Sequence, residues 1–250
     1  MIHAIASGLG TILNAVYPPQ CVGCEEETTD SHGLCPTCWK DTSFISGSIC
    51  NCCGLPVPLS LPTTNVICDA CMYAPPGWDN GRAAILYEGT GKKVVLGLKH
   101  RDRLDLALVA AGWMAAAGRD LLRNADVLAP VPLHWSRLAR RRHNQSAELA
   151  RQLSALTGVH CVPDLLIRQE RTTSLEGKNR AERFAILQNT IRLNPRRIEA
   201  IAGRKCVLID DVLTTGATLG AATSAVRTGH PAGVSALVLA RVARDALELI

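Results

Sequence analysis

Two carboxylates, Asp210 and Asp211, stand side by side at the end of the apolar run Cys206-Val207-Leu208-Ile209. Val212 and Leu213 follow, then Thr214-Thr215-Gly216-Ala217-Thr218 and an Ala-rich stretch of helical character. Each part has a chemical use. Backbone N–H groups at a helix start, joined by threonine hydroxyls, surround a phosphate dianion. Gly216 permits close backbone approach or a positive φ. Two carboxylates one loop away accept hydrogen bonds from a vicinal diol, such as the 2′- and 3′-hydroxyls of ribose. The ligand that matches both halves is a ribose 5-phosphate group. The bland alternative is an acidic pair that caps a turn before an ordinary helix. A lone T-x-G would favour it; the whole string is more specific. No G-K-[ST] follows, so this is not a Walker loop, and no G-x-G-x-x-G marks a dinucleotide fold.

The second chemical feature is thiol. Of eleven cysteines, eight form four C-x-x-C pairs: Cys21/Cys24, Cys35/Cys38, Cys50/Cys53 and Cys68/Cys71. Cys52 is left over, and only Cys161 and Cys206 lie beyond this region. Such clustering is a local device rather than a chain-wide disulfide framework. Four thiolates in a tetrahedral array make a structural zinc site, so eight ligands predict two zinc ions. The simplest grouping is sequential, the first two pairs and then the last two; spacing leaves crossed pairing open. Full coordination leaves no open position, so the metals are expected to be structural. Disulfides need an oxidising compartment, and a thioredoxin-like role needs one C-x-x-C beside a strand–helix unit. An iron–sulfur cluster also uses four cysteines.

Behind these features stand the elements that must position them. At 250 residues the chain suffices for a medium domain and a small one. Ile5, Leu9, Ile12, Leu13 and Val16 have helical spacing, closed by Pro18-Pro19, which predicts an N-terminal helix over residues 1–20 that docks on the body. Residues 21–73 form the cysteine-rich module, poor in apolar runs and dependent on metal support. Ala74-Pro75-Pro76-Gly77 reads as a linker. From residue 81 to 250 strand and helix patterns alternate. Strands are expected at 83–87, 126–131, 165–167, 205–209 and 234–240, and helices at 92–100, 104–117, 144–157 and 216–228. That alternation implies an α/β domain, a mainly parallel sheet with helices on both faces, which binds ligands at the carboxyl ends of its strands.

The string around Asp210 and Asp211 resembles the PRPP motif of type I phosphoribosyltransferases. The resemblance implies that the acidic pair holds the ribose hydroxyls as the catalytic carboxylates, and that Thr214, Thr215, Gly216, Ala217 and Thr218 hold the 5-phosphate. Thr214 stands where the 6-oxopurine salvage branch has a carboxylate, which speaks against hypoxanthine or guanine as acceptor. A second stretch narrows the match. Asp126-Val-Leu-Ala-Pro-Val-Pro-Leu-His134, with Arg137, Arg140, Arg141, Arg142 and then His143-Asn144-Gln145, is similar to the ComF (competence protein F) family. Leu98-Lys99-His100-Arg101 is similar as well. Where that family commonly has Gly-Phe before Asn-Gln, this chain has Arg142-His143. The resemblance covers nearly the whole chain and implies a double zinc ribbon in front of a phosphoribosyltransferase domain. It also implies Mg²⁺ arriving with PRPP, and a link to the uptake or use of DNA. In related enzymes the loop after Val131 binds pyrophosphate, and Arg140, Arg141 and Arg142 supply planar donors suited to it. Otherwise they form a solvated basic face. Arg168 to Phe184 occupies the place of a loop that closes over the sugar, with Arg168, Arg171, Thr172, Ser174 and Arg183; the plain alternative is an exposed loop.

Two classes of function are therefore expected: a phosphoribosyltransferase of unspecified acceptor, or a non-catalytic factor that uses the fold on single-stranded DNA. The net charge of +5 suits phosphate-bearing partners of either kind. Aromatics are only 4% of residues, which counts against extended base stacking. A scaffold with a vestigial sugar-phosphate site is the third reading. No run of about 18 apolar residues exists, so no membrane span is expected. Met1–Val16 lacks a basic n-region and a small-x-small cleavage site, and the expected location is the cytoplasm.

Overall fold

The computed structural model describes residues 18–28, 33–58, 66–98, 103, 105–133, 144–168 and 190–243. The expected N-terminal helix falls outside them except for its last residues, where Gln20 bridges Glu27. Among the described residues the strands are β1 (Gly81–Leu86), β2 (Val127–Pro130), β3 (His160–Cys161), β4 (Leu166–Arg168), β5 (Ile191–Leu193), β6 (Lys205–Leu213) and β7 (Gly233–Arg241). The helices are α1 (Pro36–Lys40), α2 (Asp69–Tyr73), α3 (Gly89–Gly97), α4 (Asp105–Ala117), α5 (Arg119–Leu122), α6 (Gln145–Thr157) and α7 (Ala217–Arg227).

Five strands form one parallel sheet in the order β1-β7-β6-β2-β3. The two longest strands, β6 and β7, lie at its middle, where both faces are covered. Their side chains alternate accordingly: Cys206 and Leu208 enter one core with α7, Val207 and Ile209 the other with α4 and α6. A strand buried on both faces must be apolar throughout, as 206–209 is. Helix α4 turns Leu106, Ala107, Ala110, Ala111 and Met114 inward, its small residues letting it approach the sheet closely. The mainly parallel α/β fold expected from the alternation is the one observed.

Element edges depart from expectation in instructive ways. β6 continues past Ile209 to Leu213, because β7 pairs with it through Asp210↔Val238 and Leu213↔Arg241. Tertiary pairing thus overrides the weak strand preference of two aspartates. The strand at 165–167 belongs to a separate antiparallel pair, β4 with β5. β3 and β5, with two and three residues, are too short to show a periodicity.

The cysteine-rich region packs on the sheet rather than hanging from a tether. Ile45 N–H donates to Ala84 O at 2.9 Å and Leu86 N–H to Ser43 O at 2.9 Å, which covers the open edge of β1. Gly81 N–H donates to Asn51 O at 2.7 Å. Gly54 has φ +69, and a Cβ there would stand 2.8 Å from the backbone nitrogen of Ala83. Gly54→Ala therefore meets both backbone strain and a backbone clash. It is expected to destabilise by roughly 2–3 kcal/mol in urea denaturation; an unchanged midpoint would contradict this close approach.

Candidate functional site

The eight paired cysteines gather as two tetrads, Cys21/Cys24/Cys35/Cys38 and Cys50/Cys53/Cys68/Cys71, with the sulfurs of each within 4.8 Å of one another. The grouping is the sequential one. Each tetrad is built from two turns, one of which opens a short helix, α1 or α2. The backbone solvates the sulfurs: Cys35 N–H donates to Cys21 Sγ at 3.2 Å, and Cys68 N–H to Cys50 Sγ at 3.3 Å. Burial works against ionising Cys21, yet N–H groups of Cys35, Gly23 and Cys24 hold its thiol down at about 6. Cys53, then the N–H groups of Cys68, Cys53 and Cys52, hold Cys50 at about 4. The other tetrad thiols that shift, Cys24, Cys38, Cys53 and Cys71, are pushed up by burial and by their neighbouring sulfurs (Cys53 chiefly by Cys50), as expected of four converging thiols whose charges oppose one another. Four convergent sulfurs fit structural zinc. Cys52 belongs to neither set and stands half-buried beside the second.

The acidic pair and the threonine loop meet at the carboxyl end of β6. Asp210 Oδ1 accepts from Ser146 Oγ at 2.9 Å and from the Asp211 N–H at 3.0 Å. Ser146 lies in the first turn of α6, whose cap Asn144 accepts from Ser146 N–H at 3.1 Å and donates to Val131 O at 3.2 Å. The end of β2 and the start of α6 are thereby held together beside Asp210. His134, Arg137, Arg140, Arg141, Arg142 and His143 lie between these anchors, outside the described residues, as do Arg171, Thr172, Ser174 and Arg183.

After β6 the chain turns into α7 through Gly216, at φ +82. Thr215 Oγ1 accepts from Ala217 N–H at 3.4 Å, Thr214 is exposed, and Thr218 is half-buried in the first turn. Arg241, at the end of β7 and 9% exposed, braces the turn from below. Its Nη1 donates at 2.9 Å to the carbonyls of Leu213, Thr214 and Val242. Those carbonyls are tied down by a cation, and the Nε of the same guanidinium is buried with no partner among the described residues. A guanidinium thus stands beside the loop, one of the groups that an anion site can use. Trp78, 6% exposed, lies against Gly216, where a Cβ would sit 3.1 Å from its Cη2. A cavity of about 200 Å³ opens here, between Pro76, Trp78, Thr214, Thr215, Gly216 and Arg241. A wider cleft of about 670 Å³ lies at the other end of the sheet, near Arg82, Asp120 and Lys205, away from the acidic pair.

Ser146, Arg241 and Trp78 went unnoticed in the sequence. Arg241 alone left a signal, a cation directly after the buried run Ala236–Ala240. The structure sets Asp210, Asp211 and 214–218 along one strand end, with Cys53 and Cys71 of the second tetrad lining the cavity beside the loop and no cysteine of the first tetrad among its lining.

Burial, then the charge of Asp211, pushes the Asp210 carboxyl up from 3.8 to about 8, against the opposing hydrogen bond from Ser146. A carboxyl raised in the folded state contributes stability that is present below its unfolded value and is lost as pH rises towards 8. Asp210→Asn keeps the shape and removes the buried charge. It is expected to stabilise the ligand-free protein by about 1 kcal/mol at pH 8–9, with the gain vanishing below about pH 4. Thermal melts across that range check the sign; a gain that grows on acidification would contradict the assignment.

Comparison with known proteins bears directly on this arrangement. Residues 117–249 match the phosphoribosyl transferase domain, and residues 12–72 match the double zinc ribbon domain. The chain belongs to the phosphoribosyl transferase domain family. Within it, the chain is similar to "Competence protein F" of Haemophilus influenzae, 27% identical over 201 residues, 78% of this chain and 85% of that protein. It is similar also to "DNA utilization protein YhgH" of Escherichia coli K12, 29% identical over 194 residues, 75% of this chain and 81% of that one. The Salmonella typhimurium protein of the same name is 29% identical over 209 residues, 81% of this chain and 88% of its own length. The kinship with competence protein F expected from the two motifs is borne out. In this phosphoribosyl transferase domain the acidic pair and the threonine loop occupy the carboxyl end of a central strand, where α/β sheets bind their ligands. No helix among the described residues is long and apolar enough to cross a membrane.

Proposed function

We propose that the chain binds PRPP and transfers its ribose 5-phosphate group to a nucleophile, releasing pyrophosphate. The observation that carries this reading is the loop of 214–218 at the start of α7, braced by Arg241 and joined directly to Asp210 and Asp211. The loop N–H groups and the hydroxyls of Thr215 and Thr218 take the 5-phosphate. Asp210 and Asp211 accept from the ribose 2′- and 3′-hydroxyls, and Ser146 fixes the rotation of Asp210. In the reaction the C1–O bond to pyrophosphate breaks with its electron pair leaving on oxygen. The acceptor's lone pair forms the new bond to C1, and the acceptor gives up a proton. Positive charge builds on the sugar between these events, and the two carboxylates lie where they favour it. Arg140, Arg141 and Arg142 are assigned to the leaving pyrophosphate. Mg²⁺, bound on the substrate's phosphates, would neutralise charge on the leaving group. The chain is read as three parts, residues 1–20, 21–73 and 81–250, working in the cytoplasm, where thiols stay reduced. The names of its relatives speak of competence and DNA utilisation, and we place the proposed chemistry in that setting.

Titration calorimetry of the zinc-loaded protein with Mg-PRPP tests the reading. One saturable site per chain is expected; a folded, zinc-loaded protein that binds none would overturn it. The alternative, a single-stranded DNA factor, draws on Tyr73 and Trp39 of the ribbons, 93% and 57% exposed and open to base stacking. Strongly salt-dependent DNA affinity that ignores PRPP would favour it.

A further inference from the structure

The two tetrads are attached to the sheet differently. The first leans on the start of α3. Asp41, just after α1, accepts from the N–H and Oγ1 of Thr90 at 2.8 and 2.7 Å, and a Cβ on Gly23 would stand 2.6 Å from Thr90 Cγ2. None of these groups touches the phosphate loop.

The second tetrad reaches the loop through one side chain. Cys52, between the ligands Cys50 and Cys53, accepts at its carbonyl a 2.6 Å hydrogen bond from Trp78 Nε1. The other side of that indole lies against Gly216. From α7, Arg227 holds the residues on either side of Trp78, Gly77 by its carbonyl and Asp79 by its carboxylate. It donates to Gly77 O at 3.0 and 2.9 Å and to Asp79 Oδ1 at 2.7 Å. Cys53 and Cys71 line the same cavity as Thr214, Thr215 and Gly216. The indole is therefore held by the second metal turn on one side and α7 on the other, with the left-handed turn of the loop between them.

We infer that Trp78 is a positioning residue for the phosphate loop, and that through it the second tetrad, with its metal, governs the order of 214–218. The Gly216 turn needs a wall, since a left-handed residue with no side chain has none of its own to hold it. Trp78 supplies that wall, and its place is set by the carbonyl of Cys52. Without metal, Cys50 and Cys53 lose the ion that fixes their turn, and the carbonyl between them loses its place. Among the described residues the first tetrad lines no cavity with the loop, and its route there is longer, through Thr90 and the backbone of Tyr87, whose N–H donates to Arg241 O at 2.8 Å. The ligand consequence rests on the proposed ribose-phosphate reading; the coupling itself does not.

Hydrogen exchange of the full-length protein reads it, at the Gly220 N–H, which donates to Gly216 O at 2.8 Å, and across 214–218. Trp78→Phe keeps a ring and removes the donor to Cys52; it is expected to speed exchange there by about tenfold, the worth of one buried hydrogen bond. Trp78→Ala should do more. Cys68→Ser, with zinc content measured alongside, should loosen the loop likewise, whereas Cys35→Ser should loosen the surroundings of Thr90 instead. Equal loop exchange in the two cysteine variants, or native protection of the loop in Trp78→Ala, would overturn the coupling. Ribose 5-phosphate titrations of the same proteins form the second arm, and affinity is expected to fall with loop protection. A wild-type protein that binds no ribose 5-phosphate while the exchange pattern holds would defeat the proposed function and leave the coupling standing. Undiminished affinity in a variant whose loop is loosened would defeat the coupling as a determinant of binding.

Discussion

Replacing Asp210 and Asp211 together by asparagine is expected to lower the proposed affinity for Mg-PRPP by at least about a hundredfold, with fold and zinc content unchanged. The magnitude follows from losing one charge-assisted hydrogen bond to a ribose hydroxyl at Asp211, worth roughly 1.5–3 kcal/mol, together with the matching donor–acceptor pairing at Asp210. Asparagine keeps an oxygen for the Ser146 hydroxyl and the Asp211 N–H, so the end of β6 keeps its shape. The free protein tolerates the change because Asp210 holds a proton up to about 8 in a partly buried place. Calorimetry gives the affinity, and circular dichroism with metal analysis gives the control. Affinity that survives the double change would mean the sugar binds elsewhere.

Serine at Cys21 or at Cys50 is expected to eject one metal ion from its own tetrad and to unfold residues 21–71 before the sheet. The reason is energetic: metal binding by four thiolates amounts to about 10–16 kcal/mol of folding free energy in small zinc modules. The region has little else. The three buried cysteines of the first tetrad form a small hydrophobic cluster of their own, with Leu34 against it. The second tetrad shares the larger core with Trp78 and the sheet, so Cys50→Ser should also lower the unfolding temperature of the α/β body more than Cys21→Ser does. Zinc analysis and limited proteolysis measure the two effects. Retention of two zinc ions per chain in either variant would refute the ligand assignment.

Much of the candidate site was legible because it is contiguous. Asp210 to Thr218 is a single stretch in which strand, carboxylates, turn and helix start follow one another, and local chemistry suffices to assign them. The cysteine pairs are legible for the same reason, since each C-x-x-C is a complete half-site. Ser146, 64 residues from Asp210 in the chain, could not be read this way. Nor could Arg241, 28 residues beyond the carbonyl of Leu213 that it ties down. Their contacts exist only because β7 lies beside β6 and α6 crosses the end of that strand, and strand order is a property of the assembled sheet.

The chain carries in its own local order an α/β body, two cysteine-rich half-modules and a phosphate-type loop, since periodicity, ligand spacing and turn chemistry act over a few residues. Assembly alone settled which cysteine pairs share a tetrad, how far β6 runs past its aspartates, and that the second tetrad and Trp78 come to rest against Gly216. Those outcomes depend on which surfaces exclude water together, and neighbours in space are chosen by the packing of the whole sheet and its ribbons.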